Sequence, residues 1–418
     1  MPPPANAAAA APPDAKHDAR AESRLTTAIL IALSALAPLS IDMFLPSIPD
    51  ITAEFKADSA TIRLAVTMYL LMSATSAMLF GPASDRFGRR PALVVGMSLY
   101  VLGGVLAWFS ASAEMLVAGR IVQGFGSGAG MSIARATVID VYGRERATRI
   151  IALMSVVMAL APMLAPIVGG IYQETVGWRW VFATLTLMGI VLIAAYIRQI
   201  PETNLQRDPR ALYVPQILRN YRTLFSTRAY VVPVALVAIV FAGHLTFIST
   251  SALVLIDDIG ISPGMYGLAF GIVSAGLMAG GAISGALVGR VSGPVLLFGG
   301  MILTAVGGST MYLLALLVRE PGSALVGAAL IVVPMFFTTM GASVARPVIT
   351  VAALTPFRHM AGLAAAVMGF SQMLVSSLYA IVFAALFAPT VLTMTGAIAF
   401  TGIVVLTLAT VAGRGITR

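Results

Sequence analysis

Of the 418 residues in this chain, 59% are hydrophobic and 10% are charged, whereas soluble domains carry about 25% charged residues. This composition excludes a soluble enzyme, and the absence of cysteine excludes disulfides, thiolate nucleophiles and Cys-ligated metal sites. The net charge of +9 comes from arginines spread among apolar segments, which does not match the clustered basic surface of a nucleic-acid-binding domain.

Residues 1–24 are rich in Pro and Ala, carry mixed charges and contain no apolar run followed by a small-residue cleavage site. They predict a disordered cytoplasmic tail rather than a signal peptide. From residue 25, apolar runs of membrane-spanning length recur between short polar breaks. Twelve spans are predicted, at 25–48, 61–83, 91–110, 114–140, 147–172, 178–199, 229–256, 264–289, 293–318, 322–346, 360–387 and 390–413.

The distribution of basic residues orients these spans, because cytoplasmic loops of membrane proteins collect Lys and Arg. With the N-terminus inside, the inner segments hold 19 basic residues and the outer loops hold four. An odd number of spans would destroy this alternation. The pattern therefore favours an even number of spans with both termini in the cytoplasm.

The break at 200–228 is the longest inside the chain and is rich in Arg and Pro, as expected of a linker. It divides a first half, 25–199, from a second half, 229–413, which is followed by a short tail at 414–418. When the second half is shifted by 204 positions, eight of 24 residues match between Gly81–Gly104 and Gly285–Gly308. We therefore predict an all-α membrane protein, with twelve transmembrane helices in two pseudo-symmetric six-helix bundles and a substrate route between them.

We single out five of the charged residues within the predicted spans, where a charge costs about 2.5 to 3.5 kcal/mol on insertion scales and so needs a partner or a function. They are Asp42, Arg120, Arg135, Asp140 and Arg346. Asp42 and Arg120 both lie about 9 Å below the outer surface, at 1.5 Å per helical residue. Asp42 is thus a candidate proton carrier whose charged form Arg120 stabilises when the two are close. A fixed ion pair between spans one and four is the alternative.

The other three charges lie near predicted inner ends. Arg135 and Asp140 are placed on the side of the loop between spans two and three, where they suit either a latch or an ordinary charged helix end. Arg346 ends the predicted tenth span, and we expect its side chain to reach the inner interface. His244, in span seven, is expected to be a packing or hydrogen-bonding residue.

The loop between spans two and three carries the most distinctive motif of the chain. Its glycines permit a tight turn, and Asp85 can accept hydrogen bonds from a helix N-terminus or from Arg side chains. An ordinary basic inner loop is the alternative. The motif reads Gly81-Pro82-Ala83-Ser84-Asp85-Arg86-Phe87-Gly88-Arg89-Arg90.

This loop resembles the signature of the major facilitator superfamily. Gly119-Arg120-Ile121-Val122-Gln123-Gly124 in span four and Ala161-Pro162-Met163-Leu164-Ala165-Pro166-Ile167-Val168-Gly169-Gly170 in span five are similar to signatures of its proton-coupled members and drug exporters. Span one, with Asp42-Met43-Phe44-Leu45-Pro46-Ser47-Ile48-Pro49, and span eleven, with Met360-Ala361-Gly362-Leu363-Ala364-Ala365-Ala366, resemble Bcr/CflA drug-resistance transporters.

The resemblance implies a proton-coupled antiporter of the bacterial inner membrane that exports small amphipathic drugs, such as phenicols or bicyclomycin, by alternating access. Asp85, Arg86 and Asp140 would form a charge network that closes one face. The whole latch would comprise Gly81, Asp85, Arg86, Gly88, Arg89, Arg90 and Asp140.

Span five contains two prolines and two glycines that favour a bent, tightly packed gate, although ordinary kinking of a membrane helix is the alternative. These residues are Pro162, Pro166, Gly169 and Gly170. Substrate contacts are expected from four aromatic residues and one amide: Phe44, Tyr69, Gln123, Phe241 and Phe337.

No phosphate-binding GxxxxGK[ST] loop is present, so the energy is expected to come from the proton gradient, without a cofactor or metal. We expect a monomer in the lipid bilayer whose partners are a small-molecule drug and protons. A transporter of an endogenous metabolite is the alternative. A polytopic membrane enzyme would need paired catalytic groups at one interface, and the sequence shows no such cluster.

Overall fold

A computed structural model describes residues 23–205, 207–209, 211–318, 320 and 322–412. The predicted disordered segment, apart from Ser23 and Arg24, and the predicted tail at 414–418 lie outside these residues. The described part is built from α-helices, with short 3-10 and π segments at a few helix ends. The helices are α1 (Arg24–Asp42), α2 (Ile48–Phe55), α3 (Ser59–Phe87), α4 (Arg89–Trp108), α5 (Ala113–Thr175), α6 (Arg179–Gln199), α7 (Val214–Phe225), α8 (Arg228–Ala252), α9 (Pro263–Leu287), α10 (Gly293–Leu317), α11 (Ala324–Leu354), α12 (Ala361–Leu386) and α13 (Val391–Ala412).

The predicted spans occur as helices in the predicted order, and within the described residues eleven helices are long and apolar enough to cross a membrane. The predicted fourth span, 114–140, is helical but is not among the eleven. It carries Arg120, Gln123 and five glycines, which make it more polar than its neighbours. It joins the fifth span in one long helix, α5, which bends at Gly143, where φ is 64°.

The predicted first span is not one continuous helix. α1 ends at Asp42, a 3-10 turn follows at Leu45–Ser47, and α2 begins at Ile48. Pro46 lies within the turn and Pro49 at the start of α2, positions where the missing proline N–H removes no interior helix bond. The break places the Asp42 carboxyl at the junction of two helices, below the end of the membrane-spanning segment.

The two halves share one hydrophobic core at a single end of the molecule. This end contains the helix ends that the charge pattern predicts to be outer, and we call it the outer end and the opposite one the inner end. The shared core includes Phe44, Tyr69 and Phe182 of the first half with Phe247, Tyr266 and Met335 of the second. At the inner end the cores are separate: one includes Leu33, Met97 and Ile133, and the other Leu297, Ile349 and Val405. The halves are therefore packed together only toward the outer end in this arrangement of the described residues.

The predicted linker contains a helix, α7, that touches both halves. Its Tyr221 hydroxyl donates a hydrogen bond to Sδ of Met78 in α3 at 3.2 Å. Leu224, near its end, is fully buried in the inner core of the second half. The linker is therefore a structured bridge across the inner end.

Candidate functional site

Arg120 lies at the centre of the first half with none of its surface exposed. Its Nη1 donates hydrogen bonds to the backbone oxygen of Ser40 in α1, at 3.0 Å, and to Oε1 of Gln123, at 2.8 Å. Gln123 follows one helical turn later in α5, so its side chain points along the same helix face. The guanidinium therefore ties α5 to α1 two residues before α1 ends at Asp42.

Three aromatic rings surround the same guanidinium. Its central carbon lies 4.0 Å from the centroid of the Tyr69 ring, 5.1 Å from that of Phe44 and 5.8 Å from that of Phe182. A desolvated cation gains about 2 kcal/mol or more from such ring contacts. We call Arg120, Gln123, Phe44, Tyr69 and Phe182 the Arg120 cluster; it stabilises a buried charge without a carboxylate.

Asp42 is 5% exposed and lies beside this cluster, between the halves. Its chain neighbours Ser40 and Phe44 both contact Arg120, through the hydrogen bond and the ring contact described above. The carboxyl itself lies within electrostatic range of Tyr69 in the first half and Tyr266 in the second. Asp42 is thus a buried acid at the interface, and a relative movement of the halves would change its surroundings.

The predicted pair of Asp42 and Arg120 is not joined in this conformation. Among the described residues no ion pair links them, and Nε and Nη2 of Arg120 have no hydrogen-bond partner. The side-chain nitrogen of Gln123 is likewise buried without a partner. Such orphaned donors are costly in a low-dielectric interior and leave hydrogen-bonding capacity for an acceptor in another conformation.

The five predicted substrate residues are not brought together. Phe44, Tyr69 and Gln123 are fully buried within the Arg120 cluster. Phe241 lines a separate cavity in the second half. Phe337 is 42% exposed and packs edge-on against Phe336, because it lies on the outward face of α11. One aromatic pocket formed by these rings is therefore absent from this conformation.

The second-half cavity has about 790 Å³ of empty space, including the part that opens to solvent. Arg346 and His244 line it together with Gln372, and the sequence analysis placed neither Arg346 nor His244 in a cavity. The expected position of Arg346 at a helix end is wrong, because α11 continues through Pro347 to Leu354. The guanidinium consequently lies about two turns inside the helix.

The loop between α3 and α4 forms a charge network around Arg89 rather than Arg86. Arg89 pairs with Asp85 one turn away, and its Nε donates to Oδ2 of Asp140 at 2.8 Å. Its Nη1 also donates to the Ser84 hydroxyl at 2.7 Å. Arg86 instead lies over the ring of Phe87, 5.3 Å from its centroid. The structure thus brings Asp85 and Asp140 together on Arg89, and Arg86, which the sequence analysis placed between them, is not part of this network.

Two residues that the sequence analysis missed complete this latch. The Glu202 carboxylate accepts hydrogen bonds from the backbone N–H of Arg89, at 2.8 Å, and of Arg90, at 3.1 Å. A carboxylate is favoured at a helix N-terminus, and here it caps α4. Gly88, with φ of 108°, leaves the space that the carboxylate fills. Asn204 donates to the backbone oxygen of Asp85 at 2.8 Å.

The remaining predicted latch residues contribute less. Arg90 Nη2 donates to the backbone oxygen of Ile197 at 2.9 Å, which ties the loop to α6. Gly81 has open space where a Cβ would lie, so the structure gives no steric reason for glycine there. Arg135 reaches Sδ of Met158, 3.6 Å away in the second arm of α5. All of the contacts of the latch lie within the first half and the linker.

Contacts between a charge and a helix end close the outer end of the molecule. The guanidinium of Arg63, 2% exposed in α3, donates to the backbone oxygens of Ala384 and Phe387 at the end of α12, at 3.1 and 3.3 Å. The Glu174 carboxylate accepts from the N–H of Gly264, at 2.8 Å, in the first turn of α9. A cation at a helix C-terminus and an anion at an N-terminus are both stabilised by the helix dipole.

The predicted gate residues lie between the halves, along the packing of α5 against α9. A Cβ on Gly170 would come within 2.5 Å of the backbone oxygen of Pro263, and a Cβ on Gly267 within 2.5 Å of that of Pro166. The Ser274 hydroxyl donates to the backbone oxygen of Pro162 at 3.1 Å. Gly169 packs equally closely on the backbone of Met43, beside Asp42. Small residues thus permit backbone contact at this interface.

Comparisons with known proteins agree with this architecture. A family model described as Major Facilitator Superfamily matches residues 30–380. The chain is similar to an uncharacterised MFS-type transporter, YdgK, of Bacillus subtilis, with 28% identity over 87% of this chain and 89% of the relative. It is 27% identical to multidrug resistance protein D of Escherichia coli over 82% and 84% of the two chains. A chloramphenicol resistance protein of Pseudomonas aeruginosa is 38% identical over 183 residues, 44% of each chain.

Solved structures share the fold at low sequence identity. A D-xylose-proton symporter superposes with a TM-score of 0.73 and 15% identity, over 91% of this chain and 96% of the symporter. A peptide transporter in complex with sulfate gives a TM-score of 0.73 and 14% identity, over 94% and 96%. The two-bundle arrangement is thus that of known membrane transporters.

Proposed function

Given that this chain belongs to the major facilitator superfamily, we propose that it exports small amphipathic drugs across the bacterial inner membrane in exchange for protons. The drug-resistance relatives support this direction and substrate class, because their names link similar chains to multidrug and chloramphenicol resistance. Phenicol-like or bicyclomycin-like compounds are the proposed cargo.

The position of Asp42 is the observation that carries the proposal. This buried acid stands between the Arg120 cluster of the first half and Tyr266 of the second. Intramembrane carboxyls of this kind mark proton relays in transporters. Because its surroundings belong to both halves, its protonation is coupled to their relative movement.

The arrangement of the cores supports an inward-open starting state. The halves share a core at the outer end and have separate cores at the inner end, so a cargo molecule would enter from the cytoplasm. Rocking about the interface then separates the shared core and exposes Asp42 to the outer side, where a proton binds as the cargo leaves. The return movement brings the protonated carboxyl back to the inner side.

Two sets of contacts set the balance between the states. Arg63 and Glu174 hold the outer ends together in the inward-open state. The latch around Arg89 keeps the inner ends of α3, α4 and α5 in one rigid unit, so that the first half moves as a body. Movement of rigid halves around a midplane site is the usual form of alternating access.

The test is a transport assay in proteoliposomes with an imposed pH gradient. Chloramphenicol should accumulate on the acidic side, with proton flow in the opposite direction. Asp42→Asn should abolish both fluxes while the purified protein still binds chloramphenicol. Asp258→Asn, which changes an exposed acid at the outer end, is the matched control and should transport normally.

Three results would contradict the proposal. Accumulation that is independent of the pH gradient would remove the coupling to protons. Normal exchange by Asp42→Asn would remove the assigned carrier. Movement of chloramphenicol in the same direction as protons would indicate a solute importer.

A further inference from the structure

The second-half cavity differs from the Arg120 cluster in having open space around its charge. Every residue that lines it belongs to the second half, from α8 to α13. Phe241, Met335 and Ile349 supply apolar walls, and Thr338 and Gln372 supply polar groups. A cavity with apolar walls and a few convergent polar groups is typical of a site for a small molecule.

Arg346 brings an uncompensated positive charge to this cavity. Among the described residues its side chain has no hydrogen bond and no ion pair with a carboxylate. The Arg346 side chain is exposed where the cavity opens, so its charge is accessible to a ligand that enters the cavity. Arginine offers a planar fork of donors that matches a carboxylate in geometry.

His244 adds a second polar group from a different helix. It lies on α8, lines the same cavity and is within electrostatic range of Arg346. Its ring centroid is 5.8 Å from that of Phe241, so the polar edge and the aromatic wall are adjacent. The cavity therefore presents a positive group, a ring donor or acceptor and an apolar surface to one ligand.

We propose that this cavity is a binding subsite for amphipathic compounds that carry a carboxylate, with Arg346 pairing the carboxylate and the aromatic wall covering the apolar body. The proposal deepens the proposed function, on which it rests, by assigning a class of cargo to the second half. In this subsite, the carboxylate of the ligand pairs with the charge of Arg346, which has no carboxylate partner among the described residues. The competing explanation is that the guanidinium is simply hydrated from the inner side.

The experiment uses two probes with the same body, chloramphenicol and its hemisuccinate ester, which adds a carboxylate. Binding of each is measured by calorimetry on the purified full chain without a proton gradient. The wild type should bind the hemisuccinate more tightly than chloramphenicol. Arg346→Gln should weaken hemisuccinate binding by about tenfold or more, as expected for loss of a charged hydrogen-bonded pair, and leave chloramphenicol affinity unchanged.

Two further variants distinguish loss of the pair between Arg346 and the carboxylate from a general loss of folding. Arg346→Lys keeps the charge and should retain most of the preference for the hemisuccinate. Arg358→Gln removes an exposed arginine of the same half that does not line the cavity and should change neither affinity. An Arg346→Gln protein that loses both probes equally, or neither, overturns the subsite.

Because this measurement needs no gradient, it is independent of proton coupling. A wild type that binds both probes equally overturns the subsite while leaving drug and proton exchange intact. Conversely, a preference for the hemisuccinate that depends on Arg346 stands even if Asp42→Asn proves to transport normally.

Discussion

The outer and inner ends of this molecule are built differently. At the outer end both halves contribute to one hydrophobic core, reinforced by contacts of Arg63 and Glu174 with helix ends of the opposite half. At the inner end each half has its own core, and the charged latch around Arg89 joins elements of the first half and the linker. The bonds that must break during transport are thus concentrated at one end.

This difference has a consequence for the coupling. The rings of the Arg120 cluster are part of the shared core at the outer end, and Asp42 lies beside them. If Asp42 carries the proton, as proposed, its surroundings differ between the closed and the open states. If the same acid lay at the inner end, its protonation would not depend on whether the outer end is closed.

The largest effect is expected from loss of the charge inside the outer core. Arg120→Gln removes the ring contacts and the hydrogen bond to Ser40, and should lower the free energy of unfolding by about 3 kcal/mol. Transport should fall below detection, because the cation proposed to pair with Asp42 in another conformation is gone. Thermal unfolding and proteoliposome transport measure the two effects.

Arg135→Gln is the control for this change in the same helix, since Arg135 contacts only a methionine sulfur among the described residues. If both variants lost the same stability and activity, the special role of the Arg120 cluster would be contradicted.

The next effect concerns the close packing of the two halves. Gly170→Val places a branched side chain against the backbone of Pro263, so the outer ends cannot close fully. Transport should fall about tenfold or more, at an overpacking cost of about 1 to 3 kcal/mol. Gly299→Val, at an exposed glycine with open space around it, should have little effect. An equal loss of transport in both variants would show that the effect comes from helix propensity rather than from packing between the halves.

A smaller effect is expected at the inner latch. Arg89→Gln leaves Asp85 and Asp140 without their shared cation, so the inner ends of α3 and α5 should separate and slow turnover by about three- to tenfold. Drug affinity should change little, because the latch is remote from the shared core. Arg149→Gln, at an exposed arginine of α5 toward the inner end, is the control. Unchanged turnover in Arg89→Gln would remove the latch from the mechanism.

The smallest effect is a shift in conformational balance. Arg63→Gln removes the cross-half hydrogen bonds to α12, which should raise the outward-open fraction by a factor corresponding to about 1 to 2 kcal/mol. Spin labels at Lys56→Cys and Asp257→Cys, on either side of the outer end, can report this distance by electron resonance. The chain has no native cysteine that would interfere. An unchanged distance distribution would show that the Arg63 hydrogen bonds are not needed to keep the outer end closed.

Much of the fold could be predicted from the sequence because hydrophobic length and loop charge are one-dimensional signals. The helices followed in the expected order, and the loop at Gly88 turned where its glycine predicted. The ends of the helices were harder to predict from the sequence. The predicted tenth span stopped at Arg346, yet the helix continues through Pro347, since prolines are tolerated within membrane helices, and the misplaced end hid the position of Arg346 in a cavity.

The side-chain partners could not be read from spacing alone. Asp85 is adjacent in sequence to Arg86, but the break at Gly88 rotates α4 so that Arg89 reaches both acids. Glu202 caps α4 from 113 positions away along the chain. The sequence signal for this cap is weak: Glu202 follows Pro201 shortly after the predicted sixth span. The equal depth of Asp42 and Arg120 in the sequence pattern did not reveal the aromatic rings that surround the guanidinium.

The most direct test of the central claim is the release of protons when a drug binds the purified protein in weakly buffered solution. If cargo and proton compete through Asp42, adding chloramphenicol to the wild type should release protons into the solution, and Asp42→Asn should bind the drug without releasing any. Equal proton release by the two proteins, or none by the wild type while the drug binds, would contradict the account.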